Sequence, residues 1–304
     1  MDAPAAPAWF TAAVATVPDE RTVRVKGCDI HYLRWGDVER PGLVLVHGGA
    51  AHAHWWSFIA PLLLPQHHVV AVDLSGHGDS GRRPVYAVET WADEVMACAD
   101  DSGMQGPPVL VGHSMGGLVT IAAGSLHGER LAGVVVVDSP VRRPDPESEE
   151  GERGRMFRNP KVYDDLETAV AHFHLAPPQP CDNDFVVDFI ARRSLRQVED
   201  GWTWKFDQKV FQRDRQGIDD YLADIRCRIA VFKGQHSDLV TADVQDYMDE
   251  LLGRSSPIVE IPAAYHHVPL DQPVALVAAL RAILADWEHS VPKRPAGEPA
   301  RRAT

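Results

Sequence analysis

Between about residue 20 and residue 140 the chain alternates short apolar runs with longer mixed segments. Residues 22–26 and 30–35 alternate apolar and polar positions on either side of Gly27, the signature of an antiparallel hairpin at a sheet edge. Residues 42–47, 67–73, 108–112 and 131–138 are instead almost continuously apolar; the first runs into Gly48-Gly49 and the others end in glycine or aspartate. Strands covered on both faces read this way, and the mixed segments between them supply helical crossovers, so a mostly parallel sheet is expected. The rhythm breaks at Pro140. Residues 141–224 carry clusters of Arg and Glu, lack a strong strand signal, and suggest helices at 164–174, 184–198 and 215–225. Strands return at 228–233 and 256–261, and a helix follows from Pro273 to about Trp287. The expected organisation is an α/β core at 1–140 and 225–290, a helical block at 141–224, and a disordered Pro- and Arg-rich tail at 291–304.

Composition narrows the function classes. The 304 residues are 45% hydrophobic and 24% charged, enough apolar material for a large core. Thirty Lys and Arg against 43 Asp and Glu give a formal charge of −13, which argues against a broad nucleic-acid surface. The four cysteines, Cys28, Cys98, Cys181 and Cys227, are far apart and form no C-x-x-C pair, so they read as reduced thiols rather than a disulfide framework or zinc site. The first residues are acidic and Pro-containing, unlike a secretory signal, and no run approaches a membrane span. A cytoplasmic protein with no membrane partner is the expectation. His47, His52 and His54 share one loop, but their irregular spacing without a matching carboxylate run supports no metal assignment.

The chemistry centres on Gly112-His113-Ser114-Met115-Gly116, a G-x-S-x-G placed directly after an apolar strand and before a helix, with Gly117 following. A serine at the tip of so tight a turn needs small neighbours, and the turn lifts its hydroxyl clear of the sheet at a helix N-terminus.

With this motif the chain resembles the serine-nucleophile members of the α/β-hydrolase superfamily, over about residues 20–290. Other segments share the likeness. His47-Gly48-Gly49-Ala50 is similar to the family's oxyanion loop, which implies backbone N–H groups of Gly49 and Met115 as the oxyanion hole. Asp73-Leu74-Ser75-Gly76-His77-Gly78-Asp79-Ser80 is similar to a structural loop of the family. The segment from Pro262 to Pro273 is similar to the terminal His loop, and its register puts the general base at His266, with His267 beside it. For the acid, many relatives carry the carboxylate three residues after the glycine that ends the penultimate strand. Ser237 occupies that place here, so Asp238 is the favoured candidate and Asp138 the reserve.

The resemblance implies an eight-stranded, mostly parallel sheet flanked by helices, with residues 141–224 as a cap over Ser114. Trp202 and Trp204, with Phe206 and Phe211, form the densest aromatic stretch and are candidates for an apolar substrate wall or for glue between cap and core. The leading expectation is a carboxylesterase without cofactor, acting on a small, partly apolar ester as a monomer or homodimer. Carbon–carbon bond hydrolysis of a vinylogous diketone and a hydrolase-like small-molecule receptor are the alternatives. Epoxide hydrolysis and dehalogenation are disfavoured, because those relatives carry Asp where this chain has Ser114.

Overall fold

The computed structural model describes residues 6–143, 161–212 and 217–290. In chain order its elements are α1 (Ala8–Val14), β1 (Asp19–Val25), β2 (Cys28–Trp35), β3 (Gly42–Val46), β4 (His68–Val72), α2 (Val88–Asp101), β5 (Val109–His113), α3 (Met115–Leu126) and β6 (Gly133–Val137). An insertion follows with α4 (Leu166–Ala171), α5 (Asp184–Arg193), β7 (Leu195–Val198), β8 (Gly201–Trp204) and α6 (Ile218–Ala223). The chain then completes β9 (Arg228–Gly234), α7 (Ala242–Leu251), β10 (Ile258–Ile261), α8 (Val268–Asp271) and α9 (Pro273–His289).

One eight-stranded sheet runs in the order β1-β2-β4-β3-β5-β6-β9-β10. The β1–β2 and β2–β4 pairs are antiparallel, and every other pair is parallel. Every residue of β3, β4, β5 and β6 is buried, as their continuous apolar runs require. Alternate residues serve two separate cores. Val44, Val46, Val70 and Val72 pack with α2 and α3, whereas Leu43, Leu45, Val69 and Ala71 pack with α1 and α9.

The insertion departs from the expected all-helical block. The helix anticipated over 184–198 stops at Arg193, and β7 and β8 form an antiparallel hairpin instead. Gly201 makes this possible, because at φ +136° it lies so close to Tyr163 that a Cβ would sit 2.2 Å from the Tyr163 carbonyl oxygen. The insertion meets the core at several places, among them the following. Phe185 and Phe189 of α5 pack on Phe10 of α1, with ring centroids at 4.8 and 5.7 Å. Lys205 pairs with Asp79 at 2.6 Å, and the Asp207 N–H donates to the Gly76 carbonyl at 2.7 Å. His52 and Ser194 share a hydrogen bond of 2.9 Å. No helix among the described residues is long and apolar enough to cross a membrane. The anticipated tail at 291–304 lies outside the described residues.

Candidate active site

Ser114 stands between β5 and α3 with φ 54° and ψ −120°, a conformation that L-residues adopt only where their surroundings impose it. Its N–H donates to the Val137 carbonyl at 3.0 Å. The strand and helix meet so closely that a Cβ on Gly112 would lie 2.2 Å from the Gly116 oxygen, and one on Gly116 would lie 2.4 Å from the Val46 oxygen. The small residues of the motif are therefore a steric requirement of the turn.

Strand register assembles the rest. His113 of β5 pairs with Val137 of β6, and Val137 pairs with Phe232 of β9, so the residues just past these strands share one sheet edge. Asp138, one position beyond β6, is fully buried there. Its Oδ1 accepts the Gly234 N–H at 2.9 Å, and its Oδ2 accepts the Ser237 hydroxyl at 2.7 Å. Oδ2 also lies 2.7 Å from His266 Nδ1. A carboxylate only accepts, so Nδ1 carries the proton and donates; Nε2 then offers its lone pair to the Ser114 hydroxyl at 3.0 Å.

The geometry sets Asp138, and not the favoured Asp238, beside His266. Asp238 is exposed, four residues past the end of β9, while Asp138 fills the place beside His266 Nδ1. The chain order Ser–Asp–His holds for either aspartate and cannot discriminate between them.

The histidine loop is fixed from below. His113 Nε2–H donates to the His266 carbonyl at 2.9 Å, and burial holds the His113 imidazole well below its ordinary pKa. Tyr265 N–H donates to Asp271 at 2.8 Å, and His267 N–H donates to Gln179 at 2.9 Å. Burial pushes His267 down to about 3, so both histidines flanking His266 in space are neutral near pH 7.

The His47–Ala50 loop, expected to carry an oxyanion donor, is oriented by His47. Its Nδ1–H donates to the Gly48 carbonyl at 2.7 Å, and its Nε2 accepts the Leu74 N–H at 3.2 Å. Gly48 C=O and Gly49 N–H belong to one trans peptide, so anchoring the carbonyl turns the N–H the opposite way. Among the described residues, the N–H groups of Gly49 and Met115 have no hydrogen-bond acceptor. Phe211 of the insertion packs here, since a Cβ on Gly49 would lie 3.2 Å from Phe211 Cε1 and 3.9 Å from Met115 Sδ. Trp202 and Trp204 sit elsewhere. Trp204 packs on Tyr163 and Phe173, at centroid distances of 6.1 and 5.9 Å, and the Trp202 backbone pairs with Tyr163. These contacts lie within the insertion, whereas Phe211 reaches the Gly49 backbone.

Two groups of three side chains could gather around a cation: His113, His266 and His267, and His31, Asp73 and Asp79. In the first, His266 already bridges Ser114 and Asp138. In the second, Asp73 accepts from Ala53 N–H at 2.6 Å, Asp79 N–H at 2.9 Å and His31 Nδ1 at 2.8 Å. The second is a hydrogen-bonded knot whose donors already meet the Asp73 carboxylate, whereas in the first His267 bonds through Nε2 to the Pro177 carbonyl and its Nδ1 has no partner among the described residues. His47, His52 and His54 each bond to a different partner and do not converge.

Comparison with known proteins bears on the family and the fold. Residues 43–280 match the model of the "Alpha/beta hydrolase family". The esterase Rv0045c of Mycobacterium tuberculosis is 25% identical over 272 residues, covering 86% of this chain and 88% of the relative. Among solved structures, E-2-(acetamidomethylene)succinate hydrolase superposes with a TM-score of 0.78 at 20% identity, covering 88% of this chain and 99% of the other. A thermophilic esterase from Thermogutta terrifontis gives 0.68 at 24% identity, covering 89% and 98%.

Proposed function

Because the chain belongs to the alpha/beta hydrolase family, we propose that it is a serine esterase working through an acyl-enzyme on Ser114. The observation that carries this reading is the unbroken hydrogen-bond line from Ser114 through His266 to Asp138. In this mechanism His266 Nε2 takes the Ser114 proton as Oγ attacks the ester carbonyl carbon. Negative charge then develops on the carbonyl oxygen, where the N–H groups of Gly49 and Met115 and the α3 N-terminus stabilise it. Asp138 stabilises the imidazolium that forms. Collapse expels the alcohol, which takes its proton from His266, and a water activated by the same imidazole releases the acid.

Carboxylic esters are favoured over other carbonyl substrates because the esterase Rv0045c is similar to this chain over 86% of its length. The insertion acts as a cap, and Phe211 against Gly49 and Met115 forms an apolar wall beside the reacting carbonyl. A small, partly apolar ester fits such a wall.

The test is steady-state hydrolysis of chromogenic esters of increasing acyl length by the wild-type protein and Ser114→Ala. Alanine adds no bulk at the turn, so the fold persists, and turnover should fall by about 10³-fold or more. Equal rates in the two proteins would defeat the proposal.

A further inference from the structure

Asp138 is held by more than its histidine. Ser237 Oγ has one proton and two lone pairs. Leu239 N–H and Val240 N–H donate to that oxygen at 3.2 and 3.3 Å, which occupies the lone pairs and leaves the proton directed at Asp138 Oδ2, 2.7 Å away. Oδ2 is the same oxygen that accepts from His266 Nδ1. We propose that Ser237 is a positioning residue of the triad, whose hydroxyl, aimed by two backbone amides, holds Asp138 Oδ2 in place and limits how strongly it retains a proton on His266. The inference rests on the esterase reading, in which His266 cycles between imidazole and imidazolium.

Ser237 stands three residues beyond Gly234, where the family resemblance implies a carboxylate. In this chain the carboxylate arrives from the end of β6, and the β9 loop contributes hydrogen-bond donors to it, Gly234 N–H and Ser237 Oγ–H. A shared acceptor makes the two hydrogen bonds interdependent. When Ser237 withdraws charge from Oδ2, less remains to stabilise the imidazolium; when it is absent, Oδ2 binds the charged ring more tightly but is less well located.

The other ionisable groups that face His266 do not confuse the readout. The rings of His113 and His267 lie 4.9 and 4.8 Å from it and are held neutral by burial. Asp271, raised by burial, is tied to Tyr265 N–H and the Gln179 amide.

The experiment is the pH dependence of kcat/KM for hydrolysis of a short chromogenic ester by wild type, Ser237→Ala and Ser237→Thr, with Ser114→Ala and Asp138→Asn as controls. Ser237→Ala should move the acid limb to higher pH by about half a unit, the share of one hydrogen bond, and lower kcat severalfold. Ser237→Thr keeps a hydroxyl and should return the limb toward its wild-type position. If both controls lose turnover while Ser237→Ala leaves the limb in place, whatever its effect on kcat or melting temperature, Ser237 only supports the loop and the inference is overturned. If Ser114→Ala retains full turnover, the esterase reading falls first and takes this one with it.

Discussion

Exchanging Asp138 for asparagine probes the site with almost no change of shape. In Asp138→Asn the side-chain oxygen can still accept the Gly234 N–H. The new amide NH₂ would then face two donors, the Ser237 hydroxyl and His266 Nδ1–H, where the carboxylate oxygen had accepted both. The imidazole escapes this conflict by moving its proton to Nε2. That nitrogen can then no longer accept from Ser114, and the imidazolium formed in the transition state has lost its buried counter-charge. Wrong tautomer and lost charge together cost about 4–5.5 kcal/mol of barrier, a fall of about 10³ to 10⁴ in kcat with KM little altered. Asp238→Asn removes an exposed charge from a loop and should change kcat by about twofold or less. Steady-state ester hydrolysis at saturating substrate gives both numbers, and thermal melts of each variant confirm that the proteins compared are folded. Asp138→Asn retaining more than about a tenth of wild-type kcat, or Asp238→Asn falling as far as Asp138→Asn, would refute the assignment of the acid.

Gly116→Ala would force a Cβ to within 2.4 Å of the Val46 oxygen and 2.5 Å of the His47 oxygen, both backbone atoms; it should lower the urea midpoint by an amount equivalent to about 3 kcal/mol and disturb the oxyanion loop. Phe211→Ala opens the space beside Gly49 and should shift the kcat/KM optimum toward longer acyl chains, with an unchanged profile counting against the apolar wall. Arg83 donates at 2.7 Å to Glu94, whose side chain is wholly inaccessible; Arg83→Met leaves that carboxylate uncompensated and should cost about 3–5 kcal/mol in chemical denaturation. Burial alone would raise the pKa of Asp73, but the hydrogen bond and charge of His31 outweigh it and hold the carboxyl well below the usual range. A depressed pKa stabilises the fold above the unfolded value of 3.8, and that contribution is lost as pH falls through the folded value; Asp73→Asn should therefore show a shallower slope than wild type below about pH 4 in melts across the acid range.

How much was readable in advance depended on whether the information was local. The apolar runs of β3 to β6 specify burial on both faces by themselves, and each forms a strand of the sheet. The serine turn is local too, because its glycines are required by contacts between adjacent elements. The carboxylate partner of His266 was not local. Asp138 and Asp238 both follow Ser114 and precede His266, and only the pairing of Val137 with Phe232 brings Asp138 alongside Gly234. The β7–β8 hairpin was hidden for a related reason. Val187, Ile190, Ala191, Leu195 and Val198 keep a helical spacing, and pairing with Gly201–Trp204 overrides it from Leu195 onward. Trp202 and Trp204 stand out by size, whereas the ring against the oxyanion loop is Phe211, a few residues later.

The placement of these groups divides the proposed work between two parts of the chain. Ser114, Asp138 and Gly234 lie at the ends of β5, β6 and β9, neighbouring strands whose register is locked by continuous parallel pairing. A displacement of any one would have to slide a buried strand, so the nucleophile, the acid and the donors to the acid are held by the stiffest element of the fold. Phe211 comes from the insertion, which is joined to that edge through side-chain contacts and a few hydrogen bonds such as Lys205 to Asp79 and Asp207 to Gly76. Substitutions in the insertion can therefore alter which acyl group fits without moving the reacting atoms. On this reasoning Phe211→Ala and Asp138→Asn should act independently: the first changes the ranking of esters at nearly constant best kcat, and the second lowers every ester by a similar factor without changing their order.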